Sequence, residues 1–127
     1  MDKQVVENLS KHYLDKIADH YGYSKYHATT PYLAIEDSPY SEGNDKNLIA
    51  EYCSMNNEII VYWSNVKDEE SLIRSIVHEY QHYMQSPVWM QRYYKQGYDY
   101  NNHPYEVAAY KEEENWHKFL TNRLWNH

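Results

Sequence analysis

The sequence predicts a single α+β domain with an N-terminal helix, a small antiparallel β-sheet or hairpin, a helix carrying a His-Glu-x-x-His motif, and a C-terminal helix. Two observations predict this class. Apolar residues recur at helical spacing near both ends of the chain, and two β-rich runs flank a turn in its middle. A third is the length, because 127 residues without a repeat or a flexible linker fit one domain over residues 1–127.

The first predicted element is a helix over residues 3–20. Its apolar residues recur every three or four positions, namely Val5, Val6, Leu9, Tyr13 and Ile17. Gly22 follows where a helix stop is expected. Residues 23–47 are rich in turn formers, so we expect irregular structure there, with a short strand beginning at residue 32.

The predicted sheet is a hairpin. Residues 48–53 and 58–63 are rich in β-branched and aromatic side chains, and the segment between them, 54–57, contains two asparagines. Two such runs around an Asn-containing turn are typical of paired antiparallel strands.

The strongest helix prediction covers residues 68–85. Asp68 is a suitable N-cap, and Glu69 and Glu70 suit the positive end of the helix dipole. A wide apolar stripe predicts burial on most of the circumference. Ser86 and Pro87 end this helix.

An aromatic-rich connection over 88–102 then leads to a final helix, which begins near Pro104 and extends to about residue 125.

Charge and cysteine content exclude several classes of function. The net charge is −7 and the twelve Lys and Arg form no basic stripe, so we expect no nucleic-acid partner. No apolar run approaches a membrane span and no signal peptide is evident, so we expect no membrane association. A single cysteine, Cys53, excludes a disulfide framework and favours a reducing compartment, so we expect a soluble cytoplasmic protein.

The chemistry is predicted by the motif His78-Glu79-Tyr80-Gln81-His82. Two histidines four residues apart project from one face of a helix, where both imidazoles can reach one tetrahedral Zn²⁺. Glu79 is rotated away from the ligand direction and can reach a water molecule instead of the metal. The motif therefore predicts a zinc site with Glu79 as general base.

A third protein ligand is needed, since a catalytic zinc site has three protein ligands and one open position. The metzincin pattern would place a histidine at position 88, but this position is Val88, and the pattern's glycine is replaced by Gln85. We expect a carboxylate on the last helix, where Glu106 falls in the first turn and the small Ala109 allows close helix packing. The other candidates for the third ligand are Asp99, His103, Glu112, Glu113, Glu114 and His117.

The motif followed by Pro104-Tyr105-Glu106-Val107-Ala108-Ala109 resembles the gluzincin pattern of zinc metallopeptidases. It is most similar to minimal single-domain gluzincin-like enzymes, including those of phages and mobile elements. The resemblance implies a zincin-like fold with Glu106 as a zinc ligand. It also implies an edge strand at residues 58–63 that pairs with an extended peptide substrate. For a phage protein, the compartment would be the host cytoplasm or the virion.

Two further sets of residues are expected to serve the site. The donors expected to stabilise the oxyanion of the transition state are Tyr98, Tyr100 and His103, which precede the last helix. The residues expected to orient the zinc-binding histidines are Asp99, Asn101 and Asn102. The glutamates of the run 112–114 are expected to form a solvated helix face.

Three functions compete at this point. The first is a zinc metallopeptidase acting on a peptide or protein. The second is a zinc-binding scaffold, such as a phage structural or host-interaction protein, with little proteolysis. The third is a structural protein in which the motif occurs by chance. The sequence does not distinguish oligomeric states.

Overall fold

The computed structural model describes residues 1–37 and 47–120, which form an α+β domain. Its helices are α1 (Lys3–Tyr21), α2 (Glu69–Met84), α3 (Pro87–Lys95) and α4 (Pro104–Glu113), and its strands are β1 (Tyr32–Glu36), β2 (Ala50–Cys53) and β3 (Glu58–Tyr62). Short 3-10 turns follow β3 and α4. In this part of the chain, no helix combines the length and the apolar character needed to cross a membrane.

The sheet is mixed, and the prediction of a purely antiparallel one is wrong. The predicted hairpin is confirmed, since β2 pairs antiparallel with β3, and Asn57 in its turn adopts a positive φ that asparagine tolerates well. However, β1 pairs parallel with the other side of β3, which gives the order β1-β3-β2. Because β3 is bonded on both sides, it is not the edge strand expected at residues 58–63. The edge strand on this side is β2.

The core lies between α1, α2 and the sheet. Its fully buried side chains come from all three, with Val6 and Ile17 from α1, Ile59 from β3, and Leu72 and Ile76 from α2. The wide apolar stripe predicted for α2 is thus confirmed, because this helix contacts α1, the sheet and α4. Burial on several sides fixes α2 in position, and α2 carries the motif.

Two helices differ from their predicted extents. The connection predicted over 88–102 contains α3. Ser86 caps the N-terminus of this helix and Pro87 occupies its first turn. Ser86 and Pro87, which were predicted to end α2, therefore also begin α3. The last helix ends at Glu113 instead of continuing to residue 125. There the backbone N–H groups of Glu114 and Asn115 bond to the carbonyls of Lys111 and Glu112, three residues earlier, and so leave the α-helical pattern. Residues 121–127, which include the predicted end of this helix, lie outside the described residues, as do the turn formers predicted within 38–46.

Two neighbouring valines of α1 allow a matched test of this core. Val6 is fully buried, whereas Val5 is 43% exposed. We expect Val6→Ala to lower the free energy of unfolding by about 2 kcal/mol, because it removes buried apolar volume and leaves a cavity. Val5→Ala should change it by less than about 0.5 kcal/mol. Urea denaturation of both variants measures the difference, and equal effects would contradict the packing of α1 described above.

Candidate metal centre

The two histidines of the motif are presented by a well-formed helix. The Asp68 side chain accepts a hydrogen bond from the Ser71 backbone N–H at 2.8 Å and caps α2. His78 and His82 lie one turn apart, with ring centroids 4.9 Å from each other. Their spacing on one helix face agrees with the sequence prediction.

Glu106 of α4 completes a group of three. Its Oε1 lies 2.9 Å from His78 Nε2 and 2.8 Å from His82 Nε2. Glu106 and His78 are buried, at 7% and 5% exposure, and His82 is half-buried. Because Glu106 is in the first turn of α4, the helix dipole favours its ionised form. Two imidazole nitrogens and one carboxylate oxygen therefore converge on one point.

The outer nitrogens of both rings also have partners. His78 Nδ1 lies 2.7 Å from a carboxylate oxygen of Glu113, and His82 Nδ1 lies 2.7 Å from Gln85 Oε1. The Gln85 amide nitrogen donates to the Tyr105 carbonyl, so its oxygen faces His82 and accepts a hydrogen bond from Nδ1–H. Nδ1 of each ring then carries a hydrogen, so in the neutral imidazole that a metal ion requires, the Nε2 lone pair would point to the shared centre.

This arrangement fits a metal ion. The ligand atoms of His78, His82 and Glu106 all lie within 4.8 Å of one another. In metal sites, a coordinating histidine usually donates its other N–H to a carboxylate or a carbonyl oxygen, as both rings do here. The donor set of two nitrogens and one oxygen is of the kind that catalytic zinc sites use. The structure thus brings together the three residues predicted as ligands, in a geometry that can hold an ion.

The charges of the group favour binding a cation. Burial alone would raise the pKa of Glu106, but hydrogen bonds from His78 and His82 outweigh it and lower this pKa to about 2. Burial opposes protonation of His78, but bonds to Glu106 and Glu113 outweigh it and raise its pKa to about 9. The pKa of His82 is raised as well, for the same kind of reason. Two carboxylates therefore stabilise positive charge at this point, in the form of protons or of a cation.

Glu79 lies beside this group and does not belong to it. Its Oε1 accepts a hydrogen bond from the Tyr52 backbone N–H of β2 at 2.9 Å. Burial raises the pKa of Glu79 to about 7, although the two histidines and the Tyr52 bond act in the opposite direction. Such a carboxyl group can accept and release a proton near neutral pH.

A cavity of about 570 Å³ opens over the group. It is bordered by β2, by the C-terminal half of α2, by α3 and by α4, and His78, Glu79, His82 and Glu106 all line it. Tyr100 lines it too, and burial raises the pKa of its hydroxyl. Of the three predicted oxyanion donors, Tyr100 is the one that the structure brings to the candidate site.

The structure places His103, one of the predicted oxyanion donors, at the N-terminus of α4 and away from the cavity. It is fully buried, and its Nδ1 accepts a hydrogen bond from the Tyr105 N–H, which caps α4. The opposite nitrogen, Nε2, then carries the hydrogen and donates to the Met90 carbonyl at 2.9 Å. Because both nitrogens are used and the ring does not line the cavity, the structure does not bring His103 to the site, as donor or as ligand.

Several further candidate residues lie away from the metal group. Asp99 accepts hydrogen bonds from the backbones of Asn101 and Asn102, and the Asn102 side chain bonds back to Asp99, so these three residues form a turn of their own. They do not orient the histidines. Tyr98 packs on Tyr93 and does not line the cavity over the metal group. His117 is exposed beside Trp116.

The acidic run at the end of α4 is not the uniform solvated face that was expected. Glu113 bonds to His78, and Glu112 accepts a hydrogen bond from the Tyr21 hydroxyl at 2.9 Å. Of the three glutamates, Glu114 alone is exposed. Sequence reasoning missed Glu113 and Gln85 as the residues that orient the histidines. The signal for Glu113 was present, because it follows Glu106 by seven residues and thus lies two turns away on the same helix face.

Glu113 allows a test of this outer contact. We expect Glu113→Ala to weaken metal binding by about 10–100-fold, because His78 loses the partner that fixes its ring and its tautomer. Glu114→Ala, next to it on exposed surface, should leave the affinity unchanged. Competition against a chromophoric chelator measures both affinities, and equal values for the two variants would argue against the assigned role.

Comparison of the chain with protein-family models, with curated proteins and with solved structures finds no match.

Proposed function

We propose that this protein is a zinc-dependent peptidase. The observation that carries the proposal is the convergence of His78, His82 and Glu106 on one point, beside Glu79 and beneath an open cavity. A site built only for stability would be closed by a fourth ligand, whereas three ligands beside a cavity leave one position accessible to water and substrate.

Zinc is the metal that the donor set favours. Imidazole nitrogens and a carboxylate oxygen are ordinary zinc ligands, and Ca²⁺ and Mg²⁺ prefer sites made of oxygen alone. When bound, zinc would supply Lewis acidity and lower the pKa of a water ligand toward about 7.

Glu79 is the proposed general base. It would take a proton from the attacking water and then deliver it to the nitrogen that leaves when the peptide bond breaks. Burial of Glu79 raises its pKa and so favours the protonated form that exists between the two transfers. The Tyr52 N–H holds one carboxylate oxygen and so fixes the orientation of the other.

The substrate is proposed to lie along β2 and not along β3. The Tyr62 N–H bonds to the Ile49 carbonyl, so by antiparallel alternation the backbones of Ala50 and Tyr52 face away from β3. Both residues line the cavity. The Tyr52 N–H already donates to Glu79, so an extended peptide would pair with the remaining backbone groups of this strand and would place a carbonyl near the metal group, in the manner of strand addition.

The proposal is tested by digesting a peptide library with zinc-loaded protein and identifying the products by mass spectrometry. We expect cleavage that a zinc chelator abolishes and that added zinc restores. His82→Ala, which removes one ligand, serves as the inactive control. Cleavage that survives in His82→Ala would reveal a contaminating protease.

A zinc-loaded protein that cleaves no peptide would contradict the peptidase proposal. That result would favour a zinc-binding scaffold, in which the same residues hold a metal without hydrolysis. The metal content of the protein, measured in the same preparation, separates this outcome from a failure to load zinc.

A further inference from the structure

Two tyrosines form a hydrogen-bonded pair at the candidate site. The hydroxyl groups of Tyr100 and Tyr110 lie 2.9 Å apart. Tyr100 belongs to the loop between α3 and α4, whereas Tyr110 is on α4, four residues and thus about one turn after Glu106. Tyr110 therefore lies on the helix face that carries the third ligand.

The pair lies where two cavities meet. The larger cavity extends toward Gln85 and α3, and a second cavity of about 230 Å³ extends toward Ser75 and Glu113. Both tyrosines line both cavities, as do His78 and Glu79. A peptide that occupied both cavities would pass the two hydroxyl groups at the point where it also passes Glu79.

The two tyrosines are held differently. The Tyr110 ring sits edge-on against the His78 ring, with centroids 4.6 Å apart and planes at 70°, and its backbone is helical. Tyr100 lies in a loop, and its hydroxyl has Tyr110 as its hydrogen-bond partner. The two side chains are similarly exposed, at 52% and 47%, so the backbone and the ring contact make the difference. The helical member of the pair can therefore fix the position of the member in the loop.

We propose that Tyr110 is a positioning residue: its hydroxyl donates to the Tyr100 oxygen and so directs the Tyr100 proton toward the substrate carbonyl oxygen as that oxygen gains negative charge. This inference rests on the proposed peptidase function. Tyr100 touches the substrate, and Tyr110 acts through Tyr100. Donors placed in advance around a developing oxyanion stabilise the transition state more than the ground state, so the pair should affect kcat more than KM.

A double-mutant cycle tests this inference. Phe replaces each tyrosine in turn and then both, because Tyr110→Phe removes the hydroxyl while keeping the ring contact with His78. Metal content should therefore stay unchanged in all three variants. We expect kcat to fall about 10²-fold in Tyr100→Phe and about tenfold in Tyr110→Phe, with KM nearly constant. The double variant should be no slower than Tyr100→Phe, because Tyr110 has no effect without its partner. Tyr23→Phe, on an exposed tyrosine, is the control.

Binding provides a readout that does not depend on turnover. The probe is an acetylated and amidated pentapeptide whose central Phe–Leu peptide bond is replaced by a phosphinic group, a tetrahedral anion. Calorimetry on the zinc-loaded protein should show about tenfold weaker binding in Tyr110→Phe, with the same non-additive pattern across the cycle. Additive losses, no loss in Tyr110→Phe, or no binding of the probe to the unaltered protein would overturn the inference. Probe binding with that pattern but without peptide cleavage would uphold the pair and reject the peptidase function.

Discussion

Glu79→Gln is expected to bind zinc like the unaltered protein and to lose at least ~10²-fold in peptide hydrolysis. Glutamine has the size of glutamate, and its carbonyl oxygen can still accept the hydrogen bond from the Tyr52 N–H that Glu79 accepts at 2.9 Å. It cannot take a proton from water. The substitution therefore removes the proposed proton transfer and leaves the fold and the proposed ligands in place, because Glu79 is outside the group that could hold a metal ion.

Zinc content and kcat of this variant must be measured on the same sample. His78→Ala is the contrasting variant, since it should lose metal and hydrolysis together. If Glu79→Gln retained zinc and cleaved peptides at the rate of the unaltered protein, general-base catalysis by this residue would be rejected. If it lost zinc, Glu79 would have to be reassigned as a ligand.

Glu106→Ala is expected to weaken zinc binding by at least ~10²-fold, because it removes one of three ligands and leaves two imidazoles without their shared carboxylate. The affinity is measured by chelator competition. The protein should remain folded, since the removed side chain bonds to His78 and His82 and contributes no apolar packing to the core. Circular dichroism of the metal-free variant checks this point.

Other glutamates of α4 provide graded controls on the same helix. The structure predicts an order of effects on affinity in which Glu106→Ala is the largest, Glu113→Ala is intermediate and Glu114→Ala is negligible. Glu112→Ala should leave affinity unchanged, because Glu112 bonds to Tyr21 and not to a histidine. Equal zinc retention in Glu106→Ala and Glu114→Ala would show that the third ligand is wrongly assigned.

The parts of the fold that sequence predicted best depend on local signals. The helix around the motif has an N-cap at Asp68, a wide apolar stripe and a proline stop, and the structure places it at Glu69–Met84. The hairpin follows from two β-rich runs and an Asn-containing turn, again within a short stretch of chain. The three candidate ligands could also be predicted from local patterns. His78 and His82 are four residues apart on one helix, and Glu106 falls in the first turn of the next predicted helix.

The parts that sequence did not predict depend on contacts between distant segments. The parallel pairing of β1 with β3 joins strands separated by β2, and no local pattern encodes which edge of the hairpin β1 will take. The roles of Glu113 and His103 also depend on tertiary packing. Glu113 bonds to His78 because α4 packs on α2. The His103 ring contacts Met90 and Tyr94 of α3, and this packing holds it at the N-terminus of α4.

A crystal of the zinc-soaked protein, measured at the zinc absorption edge, tests the metal centre most directly. The expected result is one anomalous peak per chain, about 2.0–2.2 Å from His78 Nε2, from His82 Nε2 and from a carboxylate oxygen of Glu106. A peak coordinated by other residues, or no peak between α2 and α4 in zinc-saturated crystals, would contradict the assignment of these three ligands.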